Sequence, residues 1–171
     1  MKDYLTPSYM FAHYYEITPA FLNSIGVRAL LIDIDNTLAP YEQPLPDERI
    51  RDWFASLKAN NICVALVSNN HRERVEEFNR SLGLLAFWDS GKPKKKTLLL
   101  AMQQLGVEPS ETAMLGDQLL TDTLAVHRLD MPSIIVPPIK DKKTPFFRFK
   151  RLLEKPFMRR YRKKKGKVNA Q

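Results

Sequence analysis

Arg28-Ala-Leu-Leu-Ile-Asp33-Ile-Asp35-Asn36-Thr37 passes abruptly from an apolar run to a polar one. An apolar run without alternation is what a parallel strand covered on both faces requires. Two carboxylates two residues apart, just past such a strand, form a costly arrangement. Like charges disfavour joint ionisation unless a cation or hydrogen bonds compensate. The pattern recurs along the chain. Ile62-Cys-Val-Ala-Leu-Val-Ser68 runs into Asn69-Asn70, and Ala113-Met-Leu-Gly116 runs into Asp117-Gln-Leu-Leu-Thr-Asp122. Ser133-Ile-Ile-Val136 and, more weakly, Leu85-Ala-Phe-Trp88 read as further strands.

Helical spacing fills the intervals. Ile50, Trp53, Phe54 and Leu57 fall at i, i+3, i+4 and i+7 after a Pro46-Asp47 start. Val75, Phe78 and Leu82 form a second stripe. Leu98, Leu99, Met102 and Leu105 form a third, with Gly106 as its stop. A short helix is predicted from Thr121 or Asp122 to before Pro132. Alternating strands and helices with short links predict an α/β fold, a doubly wound parallel sheet. Ligands then bind beyond the carboxyl ends of the strands, where strand order reverses.

The polar residues lie where those strands end. Asp33, Asp35, Ser68, Asn69, Lys92 of Gly91-Lys92-Pro93, Asp117 and Asp122 supply carboxylates, a hydroxyl, amides and one ammonium. Such a set suits phosphoryl transfer. Hard oxygen ligands suit Mg²⁺, and a carboxylate can attack phosphorus. A second carboxyl can protonate the leaving alkoxide and then deprotonate water. Hydroxyl, amide and lysine can hold the phosphoryl oxygens. Asp122 also fits the N-cap of the helix that follows it.

Asp33-Ile-Asp-Asn-Thr-Leu, Ser68, Lys92-Pro93 and Gly116-Asp117 with Asp122 resemble, in order and spacing, the four motifs of the haloacid dehalogenase (HAD) superfamily. The finer pattern (IDIDNTL, VSNN, KP and GDQLLTD) resembles subfamily IIIA, the YqeG-type phosphatases, a group similar to the mitochondrial phosphatidylglycerophosphate phosphatase. The resemblance spans about residues 5–140. It implies Asp33 as nucleophile and Mg²⁺ ligand. It implies Asp35 as general acid/base, with its backbone carbonyl on Mg²⁺. Thr37 would order the loop and stand with the substrate-binding residues. Ser68, with Asn69, would bind the phosphoryl group, and Lys92 would stabilise its charge. Asp117 and Asp122 would complete the metal site.

Only 32 residues separate Asp35 from Ser68, and 23 separate Ser68 from Lys92. A crossover helix and strand use most of that length. The HAD-like domain, expected over residues 1–139, is therefore predicted to be capless, with an open site suited to large substrates such as lipid head groups, proteins or nucleic acids.

Composition agrees with one globular domain: 171 residues, 44% hydrophobic and 27% charged. A single cysteine, Cys63, excludes a disulfide framework and a multi-cysteine zinc site, and its mid-strand position predicts a buried thiol. The net charge of +8 is unevenly placed. Residues 140–167 hold 14 basic side chains against Asp141 and Glu154, a net of +12, which leaves −4 for the rest. Phe146, Phe147, Phe149, Leu152, Leu153, Phe157 and Met158 interleave with those charges. This basic tail, 140–171, predicts an interfacial helix of about ten residues bounded by Pro145 and Pro156. Anionic lipid and nucleic acid are both compatible partners, so the expected lipid phosphatase stands beside two alternatives, a phosphatase of nucleic-acid ends or another soluble phosphomonoester, and a nucleic-acid-binding scaffold without catalysis. The aromatic N-terminal segment (Tyr4, Tyr9, Phe11, Tyr14, Tyr15) is expected to offer a second surface contact. No stretch approaches the ~20 apolar residues of a membrane span, and the amino terminus does not read as a secretory signal. The expected location is cytoplasmic, with peripheral attachment to the inner face of a membrane.

Overall fold

The computed structural model describes residues 3–140 and 145–168. Six parallel strands form one sheet: β1 (Tyr9–Met10), β2 (Ala29–Ile32), β3 (Cys63–Val67), β4 (Leu85–Phe87), β5 (Thr112–Gly116) and β6 (Ser133–Ile135). Their spatial order is β1-β6-β5-β2-β3-β4. From β2 the chain steps outward through β3 to β4, then returns to the other side of β2 as β5. Strand order thus reverses between β2 and β5, whose registers pair Ile32 with Leu115.

Burial on both faces explains why β2 shows no alternation. Leu30 and Ile32 enter one apolar layer with Ile50, Phe54, Leu57, Val75 and Phe78. Leu31 enters the opposite layer with Val67, Leu98, Met102, Met114 and Val126. The first layer is roofed by α1 (Pro19–Ser24), α2 (Glu48–Ala59) and α3 (Arg72–Asn79), the second by α4 (Lys96–Leu105) and the short α5 (Leu124–His127). Helix α2 starts where its sequence predicts. Asp47 accepts a hydrogen bond from Ile50 N at 2.9 Å, and Ile50, Trp53, Phe54 and Leu57 are all buried. Gly106 stops α4 in the left-handed conformation, φ 67°. Single helices fill the β2–β3 and β3–β4 crossovers, so no cap module stands over the carboxyl ends of the strands among the described residues.

Several expectations are corrected. Leu99 is exposed, and Ala101 takes its place in the buried stripe of α4. Leu82 lies beyond the end of α3. Cys63 is exposed because β3 begins at that residue, at the sheet's lower rim. The N-terminal aromatics are largely structural. Tyr9 and Met10 form an edge strand on β6, Tyr9 and Phe11 pack edge-on against Phe21, and buried Tyr14 packs against Trp53. Only Tyr4 and Tyr15 remain exposed.

The tail departs most from expectation. Helix α6 runs unbroken over Pro145–Val168 with Pro156 in its interior. Proline removes one helical hydrogen bond and crowds the preceding turn, yet docking contacts flank it on both sides. Glu154 accepts from Leu119 N at 2.9 Å, and the Tyr161 hydroxyl accepts from Met10 N at 3.0 Å. Met10 lies on the edge strand, so Tyr161 also occupies a donor that edge strands otherwise leave open. Lys142 and Lys143 of the basic tail lie outside the described residues.

Candidate active site

The carboxyl ends of β2, β3 and β5 place the polar groups around one cleft of about 210 Å³. Asp33 extends the β2 ladder by one bond, its N–H donating to Leu115 O at 2.9 Å, so its carboxylate starts from a fixed backbone. Asp33, Asp117 and Asp122 bring carboxylate oxygens within 4.8 Å of one another, and all three are buried. Lys92 Nζ lies 2.8 Å from Asp33 Oδ1 and 2.8 Å from Asp122 Oδ1, and donates to Val67 O at 2.8 Å.

Burial and charge oppose one another here. The net effect raises the Asp33 carboxyl to about 7, and burial is the largest cause. Lys92 pulls it down, while Asp122 and Asp35 push it up. Burial alone would lower the Lys92 ammonium, but Asp122 and Asp33 outweigh burial and hold it above its ordinary value. One ammonium faces three carboxylates. The remaining negative charge and the all-oxygen donor set fit a divalent metal ion.

Gly116 is required by this geometry. A Cβ on it would overlap the Asp122 carboxylate. Asp122 follows six residues later in a π-helical turn, Leu119–Thr123, and its Oδ2 accepts from Gln118 N at 3.2 Å. Its carboxylate thus closes its own turn and also faces Lys92.

The other expected residues take distinct places. Ser68 lines the cleft, and its Oγ accepts from Asn70 N at 3.0 Å. Asn69 also lines the cleft, but its side chain braces the lysine loop. Its Oδ1 accepts from Lys92 N at 2.8 Å and from Ser90 Oγ at 2.7 Å, and its Nδ2 donates to Lys92 O at 3.1 Å. Thr37 does not line the cleft with the substrate-binding set. It is buried and donates to Asp33 Oδ2 at 3.5 Å, the place of a brace. The Asp35 carboxylate lies outside the acidic triad. Arg74 donates to its Oδ1 through two N–H groups at 3.1 Å each, and Asn70 Nδ2 donates to its Oδ2 at 2.8 Å.

Sequence reading missed Arg74, Tyr41, Gln118 and Thr121. Tyr41, Gln118 and Thr121 line the cleft. Burial and the neighbouring Asp35, Asp33 and Asp117 push the Tyr41 phenol above its ordinary range. No sequence signal separates Arg74 from Arg72, which pairs with Glu76 on the surface.

A family profile for haloacid dehalogenase-like hydrolases matches residues 13–130. The chain is 30% identical over 164 residues to a protein of Bacillus subtilis (strain 168) described as a probable phosphatase, YqeG. That match covers 96% of this chain and 95% of the relative. Among solved structures, CbbY from Rhodobacter sphaeroides in complex with phosphate superposes with a TM-score of 0.53 at 16% identity, covering 70% of this chain and 90% of that one. A structure described as a HAD superfamily (subfamily III A) hydrolase from Legionella pneumophila gives 0.51 at 20% identity, covering 68% and 70%. At such identities these two structures bear on fold alone. Profile, relative and fold agree with the ordered motifs on three adjacent strand ends, and the chain belongs to the haloacid dehalogenase-like hydrolases, as a phosphatase of that family.

Proposed function

We propose that this phosphatase is Mg²⁺-dependent, works through an aspartyl-phosphate on Asp33, and acts on a lipid phosphomonoester such as phosphatidylglycerophosphate. The observation that carries the chemistry is Lys92 clamped between Asp33 and Asp122, beside a third carboxylate, at the point of strand reversal. Asp33, Asp117 and Asp122 would hold Mg²⁺, with the backbone carbonyl of Asp35. The ion would neutralise phosphoryl charge and orient the ester for in-line attack.

An Asp33 carboxylate oxygen attacks phosphorus while the bond from phosphorus to the ester oxygen breaks. Asp35, on the same cleft, gives its proton to the leaving alkoxide. It then takes a proton from water, whose oxygen attacks the phosphoryl group, releasing inorganic phosphate and restoring Asp33. Ser68 and Lys92 hold the phosphoryl oxygens during both steps. Thr37 and Asn69 act one step back, on Asp33 and on the Lys92 loop.

Two features favour a lipid. The cleft is smaller than the roughly 300 Å³ at which small-molecule pockets begin. It therefore takes a phosphoryl group and leaves most of the substrate outside, and among the described residues no cap covers that remainder. Helix α6 also exposes Phe149 and Leu152 (58% each) and Leu153 beside exposed Lys155, Arg159, Arg160, Arg162 and Lys163. Apolar anchors with basic neighbours fit an anionic lipid surface. Among the described residues no helix is long and apolar enough to cross a membrane, so attachment would be peripheral, and the inner face of the cytoplasmic membrane is the site we propose.

The test is phosphate release from phosphatidylglycerophosphate in mixed micelles with Mg²⁺, beside a soluble aryl phosphate and a 5′-phosphorylated oligonucleotide, with Asp33→Asn as blank. Preferred turnover of the lipid, lost with chelator, is the expected result. Turnover confined to the oligonucleotide or aryl ester would move the substrate to nucleic-acid ends or a soluble phosphomonoester.

A further inference from the structure

The turn that carries Asp122 begins with two adjacent backbone donors that no helical carbonyl can serve. Gln118 N donates to Asp122 itself, at 3.2 Å. Leu119 N donates to Glu154 Oε1 at 2.9 Å, from a helix 35 residues further along the chain. Leu119 is 1% exposed and Glu154 4%, so neither group has water to fall back on. A buried donor without an acceptor costs more than an average hydrogen bond contributes. If Glu154 is withdrawn, the carboxylate already serving the adjacent N–H is that of Asp122. Asp122 is shared between that turn, Lys92 and the acidic triad, so a shift of the turn is felt at all three.

Glu154 is also conspicuous in sequence. It is one of two acids among 14 basic side chains in residues 140–167. The helix that bears it is seated at a second point on the same face. Tyr161, seven residues or about two turns later, accepts from Met10 N at 3.0 Å. Among the described residues helix α6 is hydrogen-bonded to the body at the edge strand and at the turn behind the metal-ligand candidates, and Arg160 adds an ion pair with Asp3 at 3.7 Å.

We propose that Glu154 is a positioning residue: by taking the Leu119 N–H it holds the Asp122 turn in register, and so makes the C-terminal helix part of the cation site. The inference rests on the metal-dependent phosphatase reading. It is independent of whether the substrate is a lipid.

The test uses the full chain. Mg²⁺ binding is measured by titration calorimetry without substrate, and the Mg²⁺ dependence of aryl phosphate hydrolysis is measured beside it. Glu154→Ala should weaken Mg²⁺ binding about tenfold and raise the half-maximal Mg²⁺ concentration to match, the usual effect of losing a group that orients a metal ligand. Glu154→Gln keeps an acceptor oxygen at the same reach and should stay within about threefold of the parent protein. Glu154→Asp keeps the charge but shortens the reach, and should follow the alanine variant. The Asp and Gln variants carry the comparison if the alanine variant does not fold. Tyr161→Phe frees the other anchor and should leave Mg²⁺ binding unchanged. The proposal is overturned if Glu154→Asp binds Mg²⁺ like the parent protein, if Glu154→Gln is as weak as Glu154→Asp, or if Tyr161→Phe weakens binding equally. A parent protein that neither binds Mg²⁺ nor releases phosphate would instead overturn the reading beneath it.

Discussion

Charge is handled in opposite ways in two regions of this chain. At the carboxyl ends of β2, β3 and β5, four charged side chains are buried together: Asp33, Asp117 and Asp122 within 4.8 Å of one another, and Lys92 on Asp33 and Asp122. On α6, Lys155, Arg159, Arg160, Arg162 and Lys163 stand in solvent beside exposed Phe149 and Leu152. Buried charges carry a desolvation cost that only close partners offset, so each position depends on the others. Exposed charges cost little, act at long range and are screened by salt. The first region holds its charges at fixed geometry, and the second leaves them standing in solvent.

Asp33→Asn should break the first region outright, lowering turnover about 10⁴-fold or more, as loss of a covalent nucleophile does. Phosphate release under single-turnover conditions reads it. Lys92→Met should follow, with a loss of about 10² to 10³ in kcat from removing a phosphoryl-stabilising donor. In chelator it should also cost about 3 kcal/mol in denaturant unfolding, because Asp33 and Asp122 would be left buried without their cation. Gly116→Ala forces Asp122 aside and should reduce Mg²⁺ affinity about 10- to 100-fold. If it does not, the close contact between Gly116 and Asp122 is not what holds the site.

The second region should respond in the opposite sense. Arg159→Gln together with Arg162→Gln should weaken binding to anionic vesicles by about 2 kcal/mol, roughly 30-fold, at low salt. Turnover of a soluble aryl phosphate should stay unchanged. Raising ionic strength should abolish the difference. Equal loss of both activities would erase the contrast between the two regions.

The smallest effect lies between them. His127 on α5 is hydrogen-bonding distance from Ser8 Oγ (3.1 Å) and Ser133 Oγ (3.0 Å). Burial lowers its basicity, with the Tyr4 and Asp3 backbone and the charges of Asp3 and Asp130 pulling the other way. The unfolded chain then takes up the proton first. The stability contribution is fully present above the unfolded value of about 6.5 and is lost as pH falls through it toward the lowered native value. On acidification from pH 7 to 5 the melting temperature of His127→Gln should change in the stabilising direction relative to the parent protein, in which proton uptake by buried Asp33 acts in the opposite sense to that of His127. An unaltered slope would remove His127 from the account.

Much of this was legible because strands buried on both faces and helices buried on one leave periodic signals. The five longer strands, the Asp47 cap, the Gly106 stop and the cluster of Asp33, Ser68, Lys92, Asp117 and Asp122 at one rim all follow from local pattern. β1 left no such signal. Two residues carry no periodicity, and Tyr9–Met10 is a strand only because β6 offers an unpaired edge. Leu99 misled because one helical stripe has two neighbouring positions that compete for the core, and only the docked sheet chooses between them.

By itself the sequence determined the order of elements and the types of side chain at the strand ends, since these depend on neighbours a few residues apart. Only the tertiary structure decided which partners those side chains meet. Arg74 and Asn70 on Asp35, Asn69 on the Lys92 loop and Glu154 on Leu119 join residues that local pattern does not connect. A continuous α6 through Pro156 was likewise decided by contacts on either side of the proline. Hydrogen bonds and ion pairs act over a few ångströms of space, and the packing of two layers on one sheet sets which residues come that close.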